Sequence, residues 1–199
     1  TEATEWLILA EVAKAWGPKD SAAALQAAGS LDTSIVKDRF VWEVMESWAS
    51  QVPTEAAAAV AGLPSLQQIN AGGAVAKEWA AKDPAAAANW AELQPLGAYG
   101  SPALTSAVNA WMGQDQEAAL NWIATIKDTS ARNYALAVAS SQIATEAPDL
   151  ALTIANTISD AKNRQQALIS IQDHLQQVDP QRARALSPLI YGTSSAAGH

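Results

Sequence analysis

The sequence predicts an all-α fold in which one helical hairpin recurs about six times, and three observations predict it. Large residues return at a nearly constant interval: Trp16, Trp48, Trp79, Trp111, Ile143 and Leu175, in steps of 32, 31, 32, 32 and 32 residues. A fixed period of roughly 20–50 residues marks a stacked-repeat architecture. Eight residues after each anchor stands an alanine: Ala24, Ala56, Ala87, Ala119, Ala151 and Ala183. Between anchor and alanine lies helix-starting chemistry, clearest in Trp79-Ala80-Ala81-Lys82-Asp83-Pro84 and the Ala-rich run that leads to Trp90.

Each unit begins with a helix, here called A, that ends near the anchor. In the second unit its apolar residues are Phe40, Val41, Val44, Met45 and Trp48; in the fifth they are Ala135, Leu136, Ala139 and Ile143. These intervals draw one apolar stripe on a helix. The turn that follows is short. Asp20, Asp83, Asp115 and Asp179 stand four residues after their anchors, and Pro53, Pro84, Pro148 and Pro180 stand five after. Asp then Pro is an N-cap followed by a first helical residue: the carboxylate accepts orphan N–H groups, and proline has no N–H to lose.

Helix B comes next. The alanine eight after the anchor is expected where A and B cross most closely, since a larger side chain there would wedge them apart. Eleven after the anchor come Ala27, Ala59, Trp90, Trp122, Ile154 and Leu186; fifteen after come Leu31, Leu63, Ile126, Ile158 and Ile190. The third unit breaks the last column and offers Leu93 one place early. The turns from B to the next A carry Asp32-Thr33-Ser34, Asp128-Thr129-Ser130 and Ser159-Asp160, again as caps. Arg132 and Arg164 each follow an Asp by four, which suggests i,i+4 ion pairs. Gly72-Gly73 interrupts the third helix A; a close crossing, a kink or a late start accounts for it. In the turn-rich stretch Gln94–Pro102, Ser101 and Pro102 are expected to cap the next helix.

The composition agrees. Of 199 residues 49% are hydrophobic and 16% charged, which suits a folded chain rather than a disordered one. Alanine, the best helix former, lets helices approach closely. Eight Trp against one Phe and three Tyr is the bias expected if indole fills a repeated structural position. Trp16, Trp48, Trp79 and Trp111 share one slot, Trp90 and Trp122 another, and a repeated slot in a repeat protein is expected to be a core slot; Trp6 and Trp42 lie outside both. The net charge of -8, with no Lys/Arg cluster, repels phosphate backbones and argues against nucleic acid or a charged membrane surface as partner. No apolar run approaches the roughly 18 residues of a membrane span, so no membrane insertion is expected. The absence of cysteine excludes disulfides, thiolate metal sites and cysteine nucleophiles. It suits a bacterial protein of either cytoplasm or periplasm. Opening on Thr1 rather than Met is expected of a processed form or a piece of a longer chain. Residues 1–191 read as the helical-repeat domain and 192–199 as a flexible tail.

Helix A, a short Asp-bearing turn and a helix B with a recurrent alanine resemble tetratricopeptide-type repeats. Gly113-Gln114-Asp115-Gln116-Glu117-Ala118-Ala119-Leu120 carries the likeness best, with Ala119 at the family's small helix B position and Trp111 at a large helix A position. The resemblance spans roughly residues 5 to 190. It implies an α-solenoid, a right-handed superhelix whose concave wall binds peptides or partner proteins. Other α-solenoids, such as HEAT-type repeats, remain open.

Chemistry is sparse. His199 is in the tail, and His174 sits beside Asp173 on the polar side of the last helix A, as a solvated residue would. No His/Asp/Glu cluster has metal-ligand spacing, and there is no G-x-S-x-G, P-loop or dinucleotide glycine motif. No catalytic residue, metal or cofactor is therefore assigned. Glu43 and Glu46, three apart beside Trp42, would suit a sugar site if both carboxylates faced a cleft; a solvated acidic face is the competing reading. The polar positions of successive A helices are expected to line a binding groove, and one row runs through Trp42, Glu43, Glu46, Lys77, Asn109 and Ser141. The expected function is a protein- or peptide-binding scaffold without catalytic activity of its own. A glycan-binding or glycan-processing accessory domain and a structural spacer in a larger protein are the alternatives.

Overall fold

A computed structural model of the chain describes residues 2–31, 34–97 and 100–191. The tail 192–199, the Asp32-Thr33 cap, Tyr99 and the side chain of Trp6 lie outside the described residues. Among the described residues there are twelve helices, two to each sequence period. They are α1 (Glu2–Trp16), α2 (Ser21–Ala28), α3 (Ser34–Ala49), α4 (Pro53–Val60), α5 (Ser65–Ala80) and α6 (Pro84–Glu92). Then come α7 (Pro102–Gln114), α8 (Gln116–Thr125), α9 (Thr129–Gln142), α10 (Pro148–Thr157), α11 (Ala161–Val178) and α12 (Pro180–Tyr191). No strand occurs among these residues; Gly97 and Gly100 form one isolated bridge.

The starts of the helices follow from the capping chemistry. Asp20, Asp83, Asp115, Asp128, Asp160 and Asp179 each accept a backbone N–H three residues on, at 2.7–3.1 Å. Pro53, Pro84 and Pro148 stand in the first turn, where a missing N–H costs nothing. Ser101 caps α7 by accepting from the Leu104 N–H at 3.2 Å.

The chain divides into two compact units, residues 1–111 and 112–199. In the first, α3 packs between α1 and α5; α2 lies against α1 and α3, α4 against α3 and α5, and α6 against α5. In the second, α9 packs on α11, α10 lies against both, α8 lies against α9, and α12 against α11. Helices therefore pack on their neighbours in the sequence, as a helical repeat requires.

The side-chain columns explain the packing. All six alanines eight after the anchors are buried, none more than 1% exposed. On the A helices, the positions eight and four before the anchor are buried from the second period onward. They are Phe40 and Val44, Ala71 and Val75, Ala103 and Ala107, Ala135 and Ala139, Ala167 and Ile171. Gly72 and Gly73 mark a close crossing rather than a kink. A Cβ on Gly73 would lie 2.9 Å from Pro102 Cβ, so the start of α7 approaches α5 more closely than any side chain allows.

Three expectations are corrected. Arg132 and Arg164 donate to the Ile126 and Ile158 carbonyls at 3.1 and 2.9 Å, closing the ends of α8 and α10, while the carboxylates of Asp128 and Asp160 accept from backbone N–H groups. The unmet carbonyls at a helix C-terminus attract a guanidinium, and they lie within its reach. Leu93 does not replace the missing fifteenth residue of the third unit; it is 80% exposed. The indole slot is only partly a core slot, since Trp16, Trp48 and Trp79 are half-buried against the core.

Candidate functional site

The position two residues before each anchor is polar in all six periods: Lys14, Glu46, Lys77, Asn109, Ser141 and Asp173. None of the six is buried. On a helix that buries its positions eight, four and three before the anchor, this position falls outside the buried stripe. Four of its members belong to the candidate row. Lys14 and Asp173 extend it, and the 32-residue interval was the signal that would have found them.

Within residues 1–111 the row is tied together by charge. Lys77 Nζ lies 2.6 Å from Glu46 Oε1 and 3.6 Å from Glu78 Oε1. The hydrogen bond to Glu46 chiefly raises the Lys77 amine above its ordinary value of 10.5; partial burial opposes this, and the charges of Glu46 and Glu78 add to it. Backbone contacts follow the same interval. Ser47 Oγ donates to the Lys14 carbonyl at 2.6 Å, and Lys82 Nζ donates to the Ser50 carbonyl at 2.5 Å. In each case a residue of one A helix, or of the turn after it, closes the end of the A helix beside it.

Glu43 stands apart. It is 5% exposed and held between Lys14 Nζ at 3.8 Å and Arg39 Nε at 3.4 Å. A carboxylate so far from water is costly to bury unless it is paired with cations in this way. Glu43 and Glu46 are thus each engaged by a cation. Trp42 is half-buried, as are Asn109 and Ser141; Ser141 belongs to the second compact unit. His174 is exposed, with Nδ1 2.7 Å from the Ser170 carbonyl oxygen.

Among the described residues no group of three or more His, Asp or Glu is placed to hold a metal ion. No helix there is long and apolar enough to cross a membrane. Comparison with protein-family models, with curated proteins and with solved structures returns no match.

Proposed function

We propose that the chain is a non-catalytic, protein- or peptide-binding scaffold of the α-solenoid class. In this reading its hairpins stack as six tetratricopeptide-like repeats in a right-handed superhelix. One observation carries the reading: a polar, unburied residue at the same place on every A helix. Such a column repeats at the spacing of the hairpins and offers an extended partner a regular series of charges and hydrogen-bonding groups. Within residues 1–111 the accessible members are Lys14, Glu46, Lys77 and Asn109, with Trp42 as the aromatic neighbour that would supply apolar contact. Glu43 supports this surface from beneath by holding Lys14 and Arg39.

The test is a comparison of proteins retained by the wild-type chain with those retained by a Trp42→Ala, Glu46→Ala, Lys77→Ala variant. Loss of specific partners from the variant, with its helical circular dichroism intact, supports the row. An unchanged retained set would remove it.

A further inference from the structure

Ile8 and Val12 occupy the positions eight and four before Trp16, the same two positions that are buried in each of the five later periods. In α1 they are 61% and 44% exposed, and Leu7 beside them is 64% exposed. With Glu11 and Ala15 these residues line an open apolar groove.

The molecule shows what covers these positions elsewhere. Phe40 and Val44 of α3 share one apolar cluster with α1 and α2, the hairpin before them. A Cβ on Gly17 would lie 2.8 Å from the Val44 carbonyl oxygen, so the chain leaving α1 runs directly over that spot. Ala103 likewise sits against Gly72 of the earlier α5. The face therefore belongs to the preceding helix. Glu11 has its counterpart too. Glu43, five before its anchor, is met by Lys14 from the helix that covers it, whereas among the described residues the cation beside Glu11 is Lys14 of its own helix, an i,i+3 contact at 3.5 Å.

The far end of the sequence is built differently. Three before and twelve after the anchor, the earlier periods bury residues such as Met45 and Val60. The last carries Gln172 and Ser187 there, hydrogen-bonded to each other at 2.8 Å. Val178, Leu189 and Tyr191 are exposed nearby, but at positions that are exposed in every other described period. This polar pair makes a poor lid for an apolar groove, which argues against a second copy stacked head to tail.

We propose that the open face of α1 seats a further amphipathic helix. Its apolar stripe would cover Ile8 and Val12, and a basic residue on it would meet Glu11 as Lys14 meets Glu43. The inference rests on reading the periods as stacked repeats, but not on the polar row.

The test titrates the full chain into a fluorescein-labelled synthetic peptide with the sequence of residues 2–31, the hairpin that covers α3. Saturable binding is expected. Ile8→Glu with Val12→Glu should weaken it about tenfold or more. Glu11→Lys should weaken it less and recover with a peptide carrying Lys14→Glu. Because Ile8 and Val12 are exposed, the double variant should keep wild-type helicity. A second arm fuses the same segment ahead of Thr1, where linkage raises the effective concentration to about the millimolar range. The thermal midpoint should then rise, and rise no further than the unfused chain when the glutamates are present. Absence of both effects overturns the proposal. So does a dimer of the unmodified chain that Ile8→Glu dissociates, since the occupant would then be a second copy. If the fusion fails while the Trp42, Glu46 and Lys77 variant still loses its partners, this inference falls alone.

Discussion

Residues 1–111 and 112–199 build the same hairpin in two ways. In the first unit the anchors are indoles: Trp16, Trp48 and Trp79 stay half-buried, Trp111 at the unit's end is buried, and Trp79 stacks obliquely on Trp90 with centroids 6.0 Å apart. In the second the anchors are Ile143 and Leu175, 4% and 1% exposed. The polar contacts divide as well. The first unit joins equivalent A-helix positions by charge, as in Lys77 with Glu46. The second spends most of its polar contacts on helix ends. Arg132 and Arg164 close α8 and α10, and buried Asn133 accepts from the Ser159 N–H at 3.1 Å while donating to its hydroxyl. Arg182 and Asp149 add one ion pair between periods. An indole-anchored hairpin of this unit leaves part of its anchor, and its charges, at the surface. An aliphatic one hides its anchor and puts its polar groups into the turns.

The largest expected effect breaks this comparison at its second side. Leu175→Ala removes a fully buried anchor and should cost about 2–5 kcal/mol of unfolding free energy, measured in urea. A cost under about 1 kcal/mol would mean that the aliphatic anchors do not carry the packing that their burial implies.

The next effect concerns clearance in the first unit. Alanine normally stabilises a helix relative to glycine by about 1 kcal/mol. At Gly73 the sign should reverse, because the new Cβ would meet Pro102 at 2.9 Å; overpacking of this kind costs about 1–3 kcal/mol. Gly113, in α7 with nothing within 4 Å of its added Cβ, is the control and should gain. If both substitutions stabilise, the approach of α7 to α5 is looser than the structure has it.

Much of this was legible in the sequence, for a physical reason. A hairpin that buries its face only against its neighbours must repeat the same side chains at the same interval, so anchors, alanines and Asp-Pro caps declare the helices directly. What depends on how the chain folds back between helices, near or far in the sequence, was not legible. Arg132 has Asp128 four residues away in the chain, but the Ile126 carbonyl enters its reach only once α8 and α9 meet. Glu43 reads as a surface acid until Lys14, far back in the chain, is seen to cover it. The row two before the anchor could be drawn from spacing alone. The bare face of α1 could not, because Ile8 and Val12 look like any other stripe until their exposure is compared with that of Phe40 and Val44.

The smallest effect sharpens the first side of the comparison. Lys77 is 59% exposed along its side chain, so its pairing with Glu46 should be worth only about 0.2–1 kcal/mol and should weaken with added salt. Its sign with pH is nevertheless definite. The folded state holds the Lys77 proton more tightly than the ordinary 10.5, so the contribution is complete below that value and disappears as pH rises through the folded-state value. Lys77→Met should therefore lower the urea midpoint at neutral pH and low salt, and the gap to wild type should close in alkali. A gap that persists above the titration range, or that ignores salt, would show that Lys77 acts through its aliphatic stem. The charge lattice joining α3 and α5 would then be an ornament on packing that the half-buried indoles already secure.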